Sequence, residues 1–387
     1  MSNGNLPAPE AAAELTAPIR HTFVESISRR LPIICTVIIL AMVVIIVLNF
    51  LITGAPALSW EFLTEAPRKA NTEGGILPAI IGTFFLVLLM TVAAVPVGTI
   101  TAIYLTEYAR QNSILARIIR FAVNTLAGVP SVVFGLFGLG FFIMTIGRGV
   151  DRVDWDRRMH VLRDALAAPT SPVAGNRIAT ISDVQKYLFA LRNDDWSGEV
   201  KKLQSYPRGV SGPTTAELTV KYLDRTPELH WGKPGLLWAA LTLALLTMPV
   251  VIVSVEEALR NVPREIRDAS IALGATRWET IRKVVLPNSV TGILTGSILA
   301  VSRGAGEVAP ILFTGVIYSA QSGPGSLTDQ FMHLGYHLYL LATQSPDVDG
   351  TAPLQYATTI VLLGLTLLLN ISAILLRSRL QRRRIVL

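Results

Sequence analysis

Long apolar stretches alternate with shorter polar ones along most of this sequence. A helix that crosses about 30 Å of hydrocarbon needs about 20 mostly apolar residues, and its backbone must satisfy its own hydrogen bonds. Six stretches are long enough to do so: 31–52, 77–103, 118–146, 236–255, 290–317 and 354–376. They fall into two groups, residues 31–146 and residues 236–376. The pattern therefore predicts an all-α membrane protein with six transmembrane helices.

The composition supports a membrane protein. Of the 387 residues, 51% are hydrophobic and only 16% are charged, which is unusual for a soluble domain. The single cysteine, Cys35, lies in the first apolar stretch, so an intrachain disulfide and thiolate metal clusters are excluded. That stretch is longer than the about 7 to 15 apolar residues of a secretory signal, and we interpret it as a retained anchor.

The positions of lysine and arginine predict the orientation. They cluster before the first stretch, between the second and third, between the fourth and fifth, and after the sixth. The opposite side has Arg68 and Lys69 after the first stretch and none in 318–353. The positive-inside rule then places both termini in the cytoplasm, as a tail at 1–30 and a basic tail at 377–387. The net charge of +7 is explained by the placement of lysine and arginine relative to the predicted membrane helices. It therefore does not indicate nucleic-acid binding.

A long polar insertion, residues 147–235, separates the two groups of apolar stretches. Long loops cross membranes largely regardless of their charge, so this segment is predicted to be extracytoplasmic. Ser182 with Gln185, and Thr214 with Glu217, have the spacing of helix capping boxes. We expect a small, mainly helical domain, and the alternative is a partly disordered insertion.

Several motifs that could indicate enzymatic or cofactor chemistry are absent or have a simpler explanation. The sequence contains no Gly-x-x-x-x-Gly-Lys-Ser/Thr, so we expect ATP to be bound by a partner and no cofactor by this chain. Glycines inside the apolar stretches, such as Gly135 and Gly304, are explained by close helix packing. His333 and His337 have the spacing of two helical metal ligands, but we interpret them as surface or interfacial residues.

The polar segment between the fourth and fifth apolar stretches has clear helix start and stop signals. Pro263 suits a first helical turn, and Gly274 suits the left-handed residue that ends a helix. Thr276 and Glu279 then have capping-box spacing. The segment is predicted to form two short helices joined by a glycine corner at the membrane surface.

This predicted loop, residues 257–287, has the design of a docking element. Ile266, Ala269 and Leu273 line one face of the first helix, and Pro287 is predicted to end the second. A short amphipathic helix fixed between two membrane helices can insert into a groove of another protein. The alternative is an interfacial helix pair that only sets the topology.

The same segment resembles the EAA loop of the permease subunits of ABC importers. The resemblance rests on Asp268-Ala269-Ser270-x-x-x-Gly274 and, after nine more residues, Val284-x-Leu286-Pro287. Asp, Ser and Val replace the usual Glu, Ala and Ile. In that family the loop is the coupling helix that docks on the ATPase subunit. The resemblance therefore implies a coupling role for the following residues: Glu257, Asp268, Ala269, Ser270, Gly274, Leu286 and Pro287.

Two ionisable residues lie near the middle of the fifth apolar stretch. Charged groups at this depth are costly and commonly mark a substrate path. The i, i+4 spacing of Arg303 and Glu307 predicts that they share one helical face. Arg303 would offer an anion a forked donor and Glu307 would orient it, whereas the alternative is a pair that only clamps helices together.

The residues around this pair resemble the PstA-type phosphate permeases. The matching segments are 284–314, which includes Arg303-Gly-Ala-Gly-Glu307, and 126–138 in the third stretch. The resemblance implies a type I ABC importer (MetI-like) architecture in the bacterial inner membrane. It also implies the following partners: a PstC-like permease, a PstB-like ATPase dimer, a PstS-like phosphate-binding protein, phosphate and membrane lipid. The insertion departs from the family, whose members have a short turn there.

Two other functions remain open at the level of the sequence. One is a permease for a different oxyanion such as sulfate, molybdate or a phosphonate. The other is a membrane-anchored sensor that uses the insertion 147–235 as its ligand domain. The longest predicted cytoplasmic loop is 257–287, which leaves no room between the membrane helices for a signalling domain and makes the sensor the weaker alternative.

Overall fold

The computed structural model is mainly helical in the residues that it describes. It describes residues 23–69, 71, 73–110, 113–167, 229–345 and 347–385. Within them, six helices are long and apolar enough to cross a membrane: Arg30–Ala57, Leu77–Tyr108, Ser131–Arg157, Leu236–Arg260, Arg277–Gly304 and Ala352–Arg379. The predicted fold of six membrane helices is confirmed.

We number the helices in chain order. They are α1 (Phe23–Gly54), α2 (Trp60–Thr64), α3 (Leu77–Ile103), α4 (Ile114–Ala127), α5 (Ser131–Phe137), α6 (Arg148–Ala167), α7 (Leu236–Arg260), α8 (Arg264–Ala272), α9 (Arg277–Thr280), α10 (Leu286–Gly304), α11 (Leu334–Thr343) and α12 (Ala352–Ile385). Three π-helical stretches extend or join them: Tyr104–Tyr108, Gly138–Gly147 and Ile281–Val285. Two short antiparallel strands, β1 (Pro67–Arg68) and β2 (Glu73–Gly74), precede α3.

The core of the bundle is formed around α7. This helix is apolar on all sides and is buried along both halves, by α3 on one side and α10 on another. Small residues allow the close approach: a Cβ added at Gly292 of α10 would lie 2.0 Å from the Cβ of Ala258. We call the bundle end that carries residues 257–287 the loop end, and the end that carries residues 229–235 the insertion end.

The predicted third stretch, residues 118–146, is broken into two pieces. Its predicted bounds are wrong, because the helix that is long and apolar enough to cross a membrane here is Ser131–Arg157. Helix α4 ends at Ala127, and α5 begins only after Pro130, which lacks a backbone N–H and disfavours a helical residue before it. Val123 of α4 packs in the cluster around the loop-end half of α7, whereas Gly138 lies against Thr242 of its insertion-end half. The sequence predicted one continuous stretch here and did not place the break.

The fifth membrane segment is helical only up to Gly304. Its predicted extension to residue 317 is wrong, because Gly306 and Pro310 follow and residues 305–333 form turns with one 3-10 turn, Ile311–Phe313. Part of this stretch is packed inside the protein: Ile311 and Thr314 are buried, and the N–H of Gly235 donates to the carbonyl of Thr314 at 2.9 Å. Non-helical backbone at membrane depth is tolerated only under such cover.

The base of the insertion is tightly connected to the bundle. The third segment continues without interruption into α6, and the chain returns at residues 229–235. The buried carboxylate of Asp151 accepts hydrogen bonds from the backbone N–H groups of His230, Trp231 and Gly232. The shortest N···O distances are 3.0, 2.8 and 2.6 Å, respectively. Trp238 of α7 donates its indole N–H to the carbonyl of Trp231 at 2.7 Å. Asp151 therefore fastens the two ends of the insertion together.

The rest of the insertion, residues 168–228, lies outside the described residues. It includes both predicted capping boxes, at Ser182 and Gln185 and at Thr214 and Glu217. The prediction of a small, mainly helical domain therefore stays a prediction, apart from the helical residues of α6 that begin it.

We expect Asp151→Asn to destabilise the protein by about 1 to 3 kcal/mol, because it removes the charge that three N–H donors share and turns an amide group toward them. Thermal unfolding of the purified protein in neutral detergent measures the loss. Asp156→Asn, an exposed carboxylate on the same helix, is the matched control and should leave the midpoint unchanged. Equal midpoints for the two variants would show that the Asp151 contacts contribute nothing.

Candidate functional site

The loop at 257–287 forms the two short helices that the sequence predicts. Pro263 is the N-cap of α8, and Gly274, at φ +89°, turns the chain after it. Thr276 caps α9, and Glu279 returns a bond to the Thr276 N–H, so both halves of the capping box are present. The glycine corner therefore has the left-handed backbone that glycine adopts without strain.

The expectation that Pro287 ends the second helix is wrong. Helix α9 continues through the π-helical stretch Ile281–Val285 directly into α10, where Pro287 lies in the first turn. A proline lacks the N–H for an interior helical bond, and the wider π-helical turn before it accommodates that loss. As a result, α9 and the fifth membrane helix form one continuous rod from the loop end to the middle of the bundle.

The first loop helix presents an exposed apolar surface. None of the residues of α8 is buried, and Ile266, Ala269 and Leu273, the face predicted from the sequence, are all exposed. Leu273 is 90% exposed, and Trp278 on α9 is also exposed. Apolar side chains in this position, beyond the ends of the membrane helices, are suited to a groove on another protein.

The other predicted coupling residues divide into two groups. Glu257, Asp268 and Ala269 are exposed at the loop end and are accessible to a partner. Ser270 instead lies 3.0 Å from Thr280, hydroxyl to hydroxyl, and joins α8 to α9. Gly274 shapes the corner, while half-buried Leu286 and Pro287 begin α10.

An ion pair that sequence reasoning missed fastens this loop to the bundle. Arg267 of α8 donates to Glu107 Oε1 at 3.0 Å and to the carbonyls of Leu259 and Val262 at 2.6 and 3.0 Å. The side chains of Arg267 and Glu107 are only 17% and 13% exposed. Since Glu107 follows α3 and Leu259 ends α7, one guanidinium joins the loop to two membrane helices.

Arg303 and Glu307 are brought together, but not on one helical face as predicted. Arg303 lies in the last turn of α10 and Glu307 beyond its end, with 3.6 Å between Nε and Oε1. Their depth is given by Gly304, which contacts Met90 and Thr247 near the middle of α3 and α7. Their side chains are 44% and 24% exposed on the surface of this chain. An arginine at a helix C-terminus is also stabilised by the helix dipole.

A second polar contact crosses the bundle at a neighbouring position. The hydroxyl of Ser302 donates to Asn370 Oδ1 of α12 at 2.8 Å. Hydrogen bonds of this kind hold membrane helices together where lipid cannot compete for them. The contact fixes α10 against α12 one residue before Arg303, and the sequence pattern did not indicate it.

The two histidines are buried, so the prediction that they are surface or interfacial is wrong. His333 precedes α11 and accepts the N–H of Gly335 at its Nδ1, and His337 follows one turn later. Burial lowers the pKa of each to about 4, so both imidazoles are neutral at pH 7. Among the described residues, no group of three or more His, Cys, Asp or Glu could hold a metal ion.

Comparison with known proteins identifies a matching family and several similar proteins. Residues 94–386 match the family described as binding-protein-dependent transport system inner membrane component. The chain is 23% identical over 332 residues to the probable ABC transporter permease protein YqgI of Bacillus subtilis, which covers 82% of this chain and 84% of that protein.

Two further relatives carry a more specific name. The chain is 30% identical over 321 residues to the phosphate transport system permease protein PstA of Yersinia pestis, covering 83% of this chain and 78% of that one. It is 26% identical over 269 residues to PstA of Haemophilus influenzae, covering 70% and 65%. With its six membrane helices and its EAA-like loop, the chain belongs to the family of binding-protein-dependent transport system inner membrane components, the multi-pass permease subunits of ABC importers.

Proposed function

We propose that this chain is the permease subunit through which an ATP-driven importer moves inorganic phosphate across the bacterial inner membrane. The family match and the PstA relatives support this function. The observation that carries it is the ion pair of Arg303 and Glu307 at the middle depth of the bundle, on a side that this chain leaves open.

The position of the pair supports a substrate path formed between two permease subunits. An ionisable pair at this depth is too costly to face lipid, so a second, PstC-like permease subunit covers it and the path runs between the two. The contact with Glu307 engages Nε of Arg303. The two terminal nitrogens of the guanidinium then serve as a fork for two phosphate oxygens, and Glu307 holds the fork in orientation.

The loop end supplies the connection to ATP hydrolysis. A PstB-like ATPase dimer binds and hydrolyses ATP and takes the exposed face of α8 into a groove, with Asp268, Ala269 and Glu257 at its edge. Closure of the dimer pulls on α8, and the continuous rod of α9 and α10 carries the movement toward Arg303. This chain contributes no ATP site of its own.

The orientation follows from the distribution of basic residues. The loop end faces the cytoplasm together with both termini, since the lysines and arginines of the tails and short loops are concentrated there. The insertion end faces outward, where a PstS-like phosphate-binding protein delivers phosphate. The insertion is anchored at this delivery side by Asp151.

Substrate competition in proteoliposomes tests the proposal. We expect the assembled complex to take up radiolabelled phosphate only with ATP and its binding protein, and a large excess of sulfate, molybdate or a phosphonate to leave uptake nearly unchanged. A complex assembled without the ATPase is the control. ATP-dependent uptake of one of the competing oxyanions in place of phosphate would overturn the assignment.

A further inference from the structure

A polar pocket of about 750 Å³ opens at the loop end, away from the Arg303 pair. Its walls come from the turn after α3, the start of α4 and the first turns of α8. Five arginines line it together with two carboxylates: Arg110, Arg120, Arg260, Arg264, Arg267, Glu107 and Asp268. Ion pairs within the fold account for Arg120, Arg260 and Arg267, but not for Arg110 and Arg264.

Internal carboxylates neutralise only part of this charge. Arg267 pairs with Glu107, and Arg120 and Arg260 share Glu256 at 3.0 and 2.5 Å. The lining itself contains only two carboxylates, Glu107 and Asp268, for its five guanidinium groups.

Two of the five arginines are available for a ligand. Arg110 and Arg264 are exposed, and in the part of the chain that the structure describes neither side chain has a hydrogen bond or an ion pair. Like charges held together repel one another, and an anion between them removes that cost. The arrangement therefore favours an anionic ligand between α4 and α8.

The pocket also lies beside an apolar surface. Helix α4 carries Arg120 toward the pocket, while Ile114, Ile118 and Phe121 on the same helix are exposed, Phe121 to 72%. An arginine-lined pocket next to exposed apolar side chains at the cytoplasmic end of membrane helices suits a lipid headgroup. Arginine is also the residue whose planar fork matches the oxygens of a phosphate group.

We propose that this pocket binds a phosphate-group anion, supplied by the headgroup of an anionic phospholipid or by free inorganic phosphate. Arg110 and Arg264 hold the ligand, and the paired arginines shape the wall behind it. Because Arg264 lies on α8, the bound anion connects the coupling helix to the turn before α4. The site is separate from the substrate path, so its test does not depend on which oxyanion is transported.

Calorimetric titration of the purified, assembled complex in neutral detergent tests the site. The probes are short-chain phosphatidylglycerol, short-chain phosphatidylcholine and inorganic phosphate. We expect one saturable site for phosphatidylglycerol, weakened about fivefold by Arg110→Gln or Arg264→Gln and about 30-fold by both together. The double variant Arg117→Gln/Arg282→Gln loses the same charge at exposed positions outside the pocket and should bind within about twofold of the unmodified complex.

The outcomes separate the two sources of the anion. If phosphatidylglycerol binding depends on Arg110 and Arg264 and phosphatidylcholine does not bind, the ligand is an anionic lipid. If only inorganic phosphate binds in this dependent way, the ligand is the free anion. Equal losses in the pocket and control variants, or no saturable binding of either anion, would overturn the proposal. The double variant Arg110→Lys/Arg264→Lys retains both positive charges, and its affinity should stay within about fivefold of that of the unmodified complex. Comparison with this variant distinguishes the loss of charge from a folding defect in the double glutamine variant.

Discussion

Arg303→Gln is expected to reduce phosphate uptake about 100-fold or more, with normal membrane insertion and normal assembly. Glutamine keeps much of the length and the hydrogen-bonding capacity of arginine but removes its charge. A dehydrated anion at this depth depends on a fixed positive charge, and loss of one partner of such a contact costs about 3 kcal/mol, which corresponds to about 100-fold. The substitution therefore tests the charge itself.

Two companion variants grade the effect. Arg303→Lys keeps a point charge without the fork, so we expect it to retain about a tenth of the uptake rate. Glu307→Gln leaves Arg303 charged but holds it less firmly through its Nε contact, so a smaller loss is expected. The order of uptake should be unmodified, then Glu307→Gln, then Arg303→Lys, then Arg303→Gln.

Uptake of radiolabelled phosphate, normalised to the amount of assembled complex in the membrane, measures this series. Arg379→Gln, an exposed arginine near the end of α12, is the matched control and should transport normally. If Arg303→Gln transports at the unmodified rate, the pair is only a helix clamp. The phosphate path would then have to lie elsewhere, for example along the glycine-rich surface of the third membrane segment.

The features that were predicted correctly from the sequence depend on local patterns of residues. The six membrane helices follow from runs of apolar residues, and the loop at 257–287 follows from Pro263, Gly274 and the Thr276 capping box. Each of these signals lies within or next to the element that it predicts, so no knowledge of the tertiary fold is needed. The confirmed fold class and the confirmed helices of the loop rest on such signals.

The features that the sequence did not place depend on what surrounds a segment. An apolar stretch has the same composition whether it forms one helix or a helix followed by buried turns. The end of α10 at Gly304 could therefore be predicted only if the packing around Thr314 were known. The buried histidines were misjudged for the same reason. The contact of Arg267 with Glu107 joins residues 160 positions apart, and Asp151 reaches Trp231 across 80, distances at which periodicity carries no information.

The contact between Arg267 and Glu107 leads to the last prediction, which concerns coupling. Arg267→Met should lower the amount of phosphate transported per ATP hydrolysed at least about tenfold, while the complex still assembles and hydrolyses ATP. The exposed apolar face of α8 is untouched by this change, so docking on the ATPase persists. What is lost is the guanidinium that ties α8 to Glu107 after α3 and to the carbonyl of Leu259 at the end of α7.

A double variant separates coupling from stability. Arg267→Met alone leaves Glu107 nearly buried and without its cation, at an expected cost of about 2 to 3 kcal/mol, below that for a fully buried pair. In Glu107→Gln/Arg267→Met the unpaired charge is gone, so thermal stability should largely return. Coupling should not return, because no bond then joins α8 to the turn after α3.

Phosphate uptake and ATP hydrolysis are measured together in proteoliposomes containing the assembled complex, and thermal unfolding is measured on the same preparations. Arg282→Met, at an exposed position on the rod between α9 and α10, should leave all three quantities unchanged. If the double variant recovers stability and coupling together, the ion pair serves only to stabilise the fold. Recovery of stability alone identifies Arg267 as the residue that transmits the movement of the loop to the second and fourth membrane helices.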